Sequence, residues 1–359
     1  MDKDPKLIVH TTEPFNAEPP VEELREHFIT PQPLYYVRNH GEVPVIDENT
    51  FRLTVNGMVN KVLSLSMQEL KNNFSRCTIM ATLQCAGNRR NQLIEFAEVP
   101  GEVPWQEGAI SNATWTGAPL KEILELAGVN NECLFVEFMG ADDVFRHGEN
   151  VGFGASIPID KALTEDVLLA YEMNDLPLEP THGFPLRVVV PGYIGARSVK
   201  WVTHITLQDH PSKNYFQDHA YRLFPPQAKP ETVVWETGLQ LSELAVNCAI
   251  TFPKTNTILD VGKITVKGYA MSGGGRIISR VDISTDGGET WMTAKITEGD
   301  HKWAWVFWEL ELELLKGKYE ILTRAFDSSA NTQPQEVKHV WNFKGYMNNA
   351  WHRVYVEVK

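Results

Sequence analysis

The chain has 359 residues, 43% of them hydrophobic, four cysteines and a formal charge of -13. That length suits two domains and that apolar share builds real cores, which excludes global disorder. An acidic surface repels phosphate backbones, so no nucleic acid is expected as a partner. Cys77, Cys85, Cys133 and Cys248 form no CxxC pair and follow no regular spacing. This argues against a disulfide framework and a structural zinc site, and it fits a reducing compartment.

In chain order, "MDKDPKLIVH" carries two acids in its first four residues and no long apolar core. It reads as neither a secretory signal nor an Arg-rich transit peptide. No stretch approaches the roughly 18 apolar residues of a membrane helix, and the closing Glu-Val-Lys is not a peroxisomal tripeptide. A cytoplasmic protein without membrane contact is expected. "YYVRNHG" (35–41) sets two aromatics before Arg38, Asn39 and His40, a pattern that an ordinary polar loop would also show. "SMQELKNNF" opens with Ser66 and Glu69 in capping-box spacing and predicts a helix start. "PLKEILELAGV" places Leu120, Ile123, Leu124 and Ala127 on one helical face with Gly128 as the stop. "LRVVV" (186–190), closed by Pro191-Gly192, reads as a buried strand.

The pattern changes after "FPPQAKPE" (224–231). "KITVKGYAM" alternates Ile264 and Val266 with Lys263, Thr265 and Lys267, and "WAWVFWELELEL" alternates in the same way. "VDISTDGGETW" is two strand pieces around a hairpin signal at Asp286-Gly287-Gly288. Strand count and spacing suggest a β-sandwich of immunoglobulin type, without a Cys–Trp–Cys hallmark. "SGGGR" (272–276) lacks the Lys-Ser/Thr of a phosphate-binding loop and reads as a turn. "GFGASI" misses a dinucleotide fingerprint, and neither a G-x-S-x-G elbow nor HExxH occurs.

Charge is unevenly spread. Residues 34–41, 79–94 and 181–201 hold six Lys or Arg and no Asp or Glu. At the chain's average those positions would hold about six acids. The contrast points to an anion-seeking pocket inside an acidic protein. Within "ATLQCAGNRR" (81–90) a lone Cys85 precedes Arg89 and Arg90. A thiolate is a soft ligand for a thiophilic centre, and nearby cations lower its pKa or hold an anion over the sulfur. Taken alone, a buried core cysteine with arginines in surface ion pairs fits as well, whereas a Cys–His nucleophile has no local signature. One cysteine is too few for a bare metal, but it suffices where an organic ligand supplies most of the coordination. A phosphorylated cofactor would also account for the cations.

"ATLQCAGNRR", "HGFPLRVVVPGYIGARSVKW", "YYVRNHG" and "WNFKGYMNNAWHRV" together resemble the molybdenum domain of eukaryotic sulfite oxidases and the related nitrate reductases, from about residue 13 to the end. The resemblance implies an α+β molybdopterin-binding domain (1–235) followed by an all-β immunoglobulin-like sandwich (236–359) through which a homodimer forms. It implies a molybdopterin cofactor whose metal takes Cys85 as its single protein thiolate, the pterin dithiolene supplying two more sulfurs. Pterin-binding positions carried over by motif are Tyr36, Val37, Arg38, Asn39, His40, Cys85, Asp142, His182, Arg187, Ser198, Val199 and Lys200. Asp142 rests on a loose match in "GADDVFRHGEN", with Asp143 beside it. Tyr221 in "HAYRLFPP" matches the family's active-site tyrosine, and Arg38, Arg90 and Lys344 are the cations of the anion pocket.

The implied reaction is oxygen-atom transfer to sulfite, with positive side chains offsetting a dianion's charge. Lys344 departs from the family. Sulfite oxidases have a third arginine there and nitrate reductases a methionine, so altered sulfite affinity is expected. Gln84, Tyr221 and the cation at 344 favour sulfite, while "GYMNNAW" leans toward a nitrate reductase. No "HPGG" and no spare length for a cytochrome b5 module are present. No haem is therefore expected in this chain, as in plant-type enzymes, and the electrons would pass to oxygen or a separate cytochrome. A cofactor-free scaffold is the contrasting possibility, against which Cys85, Arg38, Arg90 and Tyr221 argue.

Overall fold

The computed structural model describes residues 3–146 and 148–359. Its first half is built on two sheets. One runs Gly154–Pro158, Phe135–Gly140, Val202–Gln208, Leu53–Gly57, Leu63–Leu65 in spatial order, with Val202–Gln208 and Leu53–Gly57 parallel. The other runs Leu176–Pro177, Leu168–Met173, Ile110–Pro119, Cys77–Gln84, and Arg187–Val189 pairs with Leu168–Met173. Between the sheets lies one core that includes Val55, Phe138, Leu169, Val188 and Ile205.

Helices fill the gaps where the sequence patterns place them. At Met67–Asn72 the Ser66 hydroxyl accepts from the Glu69 N–H at 3.1 Å, and the Glu69 carboxylate accepts from the Ser66 N–H at 2.8 Å. Both satisfy donors that the first helical turn leaves open. Leu120–Ala127 buries Leu120, Ile123, Leu124 and Ala127, and Gly128 ends it at φ 71°. No helix among the described residues is long and apolar enough to cross a membrane.

The second half is β-rich. A four-stranded sheet runs Asn247–Phe252, Gly262–Met271, Val306–Leu314, Lys295–Glu298; a five-stranded one runs Thr257–Leu259, His352–Val358, Gly317–Asp327, Ile278–Ser284, Met292–Thr293. Ile264 and Val266 point inward while Lys263 is exposed, as alternation demands. They meet Ile283, Ile321 and Val356 of the other sheet in a shared core. The Asp286–Gly288 turn joins Ile278–Ser284 to Met292–Thr293, with Gly287 and Gly288 at positive φ.

Buried hydrogen bonds tie the halves together, and Arg89 makes several of them. Arg89 sits in the left-handed region (φ 62°) ahead of the helix Arg90–Phe96. This turns its side chain into the second half. There its guanidinium donates to Asn247 Oδ1 at 2.8 Å, Ala350 O at 2.8 Å and Cys248 O at 3.3 Å. The sequence reading had offered Arg89 as a cation near Cys85, but the backbone conformation directs it to the domain junction instead. Arg89→Met would strand those acceptors, each costing about 1–3 kcal/mol when buried and unpaired. A loss of roughly 3 kcal/mol or more is expected, read as a lower urea midpoint of unfolding.

Candidate active site

Cys85 follows the strand Cys77–Gln84 and is almost fully buried. Its backbone N–H donates to Ala109 O at 2.9 Å, and its Sγ accepts from the Gly87 N–H at 3.4 Å. It lines a cleft that offers about 70 Å³ to the centres of water-sized molecules. Tyr36, Val37, Arg38, Asn39, His40, Asp142, His182, Arg187, Ser198, Lys200 and Tyr221 line the same cleft. Asp142 turns inward while Asp143 is exposed.

Three predicted residues stand elsewhere. The Val199 side chain packs into the core between the sheets and its carbonyl accepts from Val188 N–H, so it offers the cleft nothing polar. Arg90 lies one layer behind the thiol. Its guanidinium is pressed against Gly87 and Gly345, where a Cβ would stand 2.5 Å and 2.7 Å from it, and it donates to Gly345 O and Val103 O. Lys344 is the clearest correction. Its ammonium is held by Glu102 at 2.5 Å and does not reach into the cleft as a free cation. Glu102 carries no signal in the sequence, since "VPGEVPW" lies outside the acid-free windows and 242 residues before Lys344.

One end of the cleft is basic and incompletely paired. Arg187 donates to His182 O and Ser198 O, and Lys200 donates to Thr181 O and to the Asn39 side chain. None of these partners is a carboxylate. Arg187 Nε, Thr181 Oγ1 and Asp142 Oδ1 have no hydrogen-bond partner among the described residues. Burial, reinforced by Arg187, lowers the Lys200 pKa well below its ordinary value, and burial pushes the Asp142 carboxyl up to about 6. Donors left unpaired in a buried cleft are the signature of a missing anionic ligand.

The other end holds protons in fixed positions. Arg38 donates to Asn16 Oδ1, to Asn39 O and, at 3.2 Å, to His40 Nδ1. A guanidinium only donates, so Nδ1 is the acceptor and Nε2 carries the imidazole proton. That Nε2–H donates to the Tyr221 hydroxyl oxygen at 2.8 Å, leaving the phenol's own proton to donate into the cleft. Burial, with Arg38 next, holds His40 well below its ordinary pKa, and burial raises Tyr221. His182 is also held in place. Its Nε2 lies 2.7 Å from Lys3 Nζ and 3.2 Å from Gln32 O, so the ring is held between an ammonium and a carbonyl. Burial also raises the Cys85 thiol, although Arg90 and Arg38 pull the other way. Among the described residues no group of three or more His, Cys, Asp or Glu side chains could hold a bare metal ion.

A single buried thiol, a cationic cleft and oriented neutral donors define a site for a large anionic cofactor that brings its own metal ligands. The oxidoreductase molybdopterin-binding domain matches residues 40–216, and the Mo-co oxidoreductase dimerisation domain matches residues 239–359. The chain is 44% identical to sulfite oxidase of Gallus gallus, covering 98% of this chain and 78% of that protein. It is 40% identical to sulfite oxidase of Arabidopsis thaliana, covering 98% of this chain and 94% of that protein. Against mitochondrial sulfite oxidase of Homo sapiens it is 44% identical and spans 66% of that protein's length. The crystal structure of the sulfane dehydrogenase SoxCD from Paracoccus pantotrophus superposes with a TM-score of 0.82 at 28% identity, covering 97% of this chain and 85% of that one. The chain belongs to the sulfite oxidase family of molybdopterin-binding oxidoreductases. The residues present fit that cofactor, since Arg187 Nε and Thr181 Oγ1 need an acceptor and Cys85 is the soft donor.

His40 and His182 are neutral in the folded chain because burial depresses both, whereas the unfolded chain protonates them below about pH 6.5. The unfolded state then binds more protons, so their contribution to stability is intact above that pH and is lost as pH falls through it. Asp142, raised to about 6, works in the opposite sense. His40→Gln is expected to flatten the fall in unfolding free energy between about pH 6.5 and 5 by up to ~1.4 kcal/mol per pH unit relative to the parent. Urea titrations of the cofactor-free protein at several pH values measure that slope.

Proposed function

We propose that this chain oxidises sulfite to sulfate in a molybdenum-dependent reaction. The observation that carries the reading is a cleft that Arg38, Tyr221 and one buried cysteine line together, with Arg90 close enough behind the thiol to act on its charge. Overall, sulfite gains one oxygen atom from water, and two protons and two electrons are released. The molybdenum cofactor, when bound, supplies the transferred oxygen and takes up the electron pair.

The protein's part is binding, orientation and charge. Cys85 supplies the thiolate ligand. Arg187, Lys200, His182 and Ser198 hold the anionic end of the cofactor, with Asn39 fixing Lys200. Asp142 and the Tyr36–His40 stretch form the facing wall, where Val37 contributes only its side chain because its N–H and C=O pair with Ala17. Arg38 and, from behind, Arg90 offset the charge of the substrate oxyanion. Tyr221 donates its proton toward the same oxyanion, held in place by His40. Tyr346 stacks on Tyr221 at 5.2 Å, limiting the ring's motion.

Arg38, Arg90 and Lys344 outnumber Glu102 in the surroundings of the site, and a surplus of positive charge attracts a divalent oxyanion more strongly than monovalent nitrate. We further read residues 1–235 as the catalytic domain and 236–359 as an immunoglobulin-type sandwich that forms a homodimer. The family's dimerisation domain over 239–359 supports this. A reducing cytoplasm suits the four free cysteines.

The test is sulfite-dependent turnover under air on protein of assayed molybdenum content. Sulfate should form. One peroxide per sulfate identifies oxygen as acceptor, and reduction of cytochrome c without peroxide identifies a separate carrier. Cys85→Ser should retain the fold and lose molybdenum together with turnover. Arg38→Gln should lower kcat/KM by about 10²-fold. A loaded protein that forms no sulfate but reduces nitrate with a reduced dye would overturn the sulfite reading in favour of the nitrate one. Absence of molybdenum after expression in a competent host would favour a scaffold.

A further inference from the structure

Glu102 is a partly buried carboxylate behind the wall of the anion cleft, paired with two cations there, and the reaction above gives it no role. Its side chain is only 15% exposed. It stands 2.5 Å from Lys344 Nζ and 3.7 Å from Arg90 Nη2. Burial alone would raise its pKa, but Arg90 and Lys344 outweigh that and keep it below the ordinary carboxylate value, so it is charged at neutral pH. Its two counterions flank one ring. Arg90 lies 5.1 Å and Lys344 5.7 Å from the centroid of Tyr346, which stacks on Tyr221. Glu102 also contributes to the electrostatics of Cys85 and Tyr221.

A cation spent on a carboxylate is not available to a substrate. Arg38 hydrogen-bonds to amide oxygens and an imidazole nitrogen, so its full charge faces the cleft. Arg90 is shared between two carbonyls and Glu102, and Lys344 is committed to Glu102. The pocket thus carries graded positive charge, with its reserve behind a single acid.

We propose that Glu102 is a specificity-determining counter-charge that holds Lys344 off the bound oxyanion and thereby sets how tightly a divalent anion is held. This rests on the sulfite reading of the site. Without Glu102 the pocket would gain one unit of positive charge and a mobile ammonium. The divalent product would then leave more slowly. Glu102 therefore trades affinity for release.

The experiment titrates inorganic sulfate into the molybdenum-loaded enzyme by calorimetry and measures sulfite turnover on the same samples. Glu102→Gln should tighten sulfate binding by about fivefold or more and lower the sulfite KM in proportion, with a smaller change in kcat. Glu102→Asp should keep the parent values, as a charge requirement demands and a shape requirement does not. Lys344→Met should cancel the gain in the Glu102→Gln background, returning sulfate affinity to within about twofold of the parent. A folded, molybdenum-loaded Glu102→Gln enzyme that binds sulfate no more tightly than the parent overturns the proposal. If that variant does not fold, the Glu102→Gln/Lys344→Met double variant decides, since it removes the pair at constant net charge, and a loss above about fivefold shows that Lys344 already serves the anion and overturns the proposal. A parent enzyme that makes no sulfate fails the sulfite reading itself, which is distinct from a parent that turns over while Glu102→Gln shows no gain.

Discussion

Burying a guanidinium or ammonium without a carboxylate costs several kcal/mol, and the cost is recovered only when strong acceptors surround it. This chain meets that constraint repeatedly around one cleft. Arg187 is held by two backbone carbonyls, Lys200 by a carbonyl and an amide, and Arg38 by two amide oxygens and a ring nitrogen. Neutral acceptors fix the geometry of these cations without cancelling their charge. The cleft therefore stays electropositive inside a protein of formal charge -13, and its unpaired Arg187 Nε awaits an anion. The same surroundings explain the neutral histidines. Burial first, and then the cations on several sides, make a positive charge on His40 or His182 too costly, and the Arg38 donor at His40 Nδ1 sets the tautomer that orients Tyr221.

Two adjacent arginines show how local backbone geometry divides the work. Arg89, with positive φ, points into the β-rich half and ties it to the first. Arg90 opens the following helix and turns back behind Cys85, in a slot that glycines at 87 and 345 keep open. Structural and functional charge are thus only one residue apart. An ordinary side chain at either glycine would collide with the Arg90 guanidinium.

Local patterns were legible wherever a short-range rule decides the outcome. The Ser66–Glu69 box, the Leu120–Ala127 face with its Gly128 stop, the alternation at Ile264 and Val266, and the Asp286–Gly288 turn all follow from spacing and turn chemistry. The residues of the cleft wall were legible through motif, because the motifs are contiguous and the cleft is built from their loops. What spacing could not give is direction. Nothing in "NRR" says that its first arginine leaves the site, and nothing in "RSVKW" says that Val199 faces the sheet core while Ser198 and Lys200 on either side face the cleft. Pairing across 242 residues was equally out of reach, so Lys344 read as a free cation and Glu102 was not seen.

The β-rich half takes part in the site as well as in the architecture. Residues 345–350 dock on the loop that carries Cys85: Met347 N–H donates to Ala86 O at 2.7 Å, Asn348 Nδ2 to Arg89 O at 2.9 Å, and Gly345 O accepts from Arg90 Nε at 2.9 Å. The segment holds itself rigid, since Asn342 bonds both the N–H and the C=O of Tyr346. Tyr346 then forms the floor beneath Tyr221, and Lys344 reaches Glu102 from the same segment. A domain that served only to pair subunits would have no need to place a cation and a stacked aromatic behind a thiol that lies 259 residues before Lys344 in the chain. The junction that Arg89 and Asn247 form and the packing behind Cys85 therefore share this one segment, since Asn348 holds Arg89 and Gly345 holds Arg90.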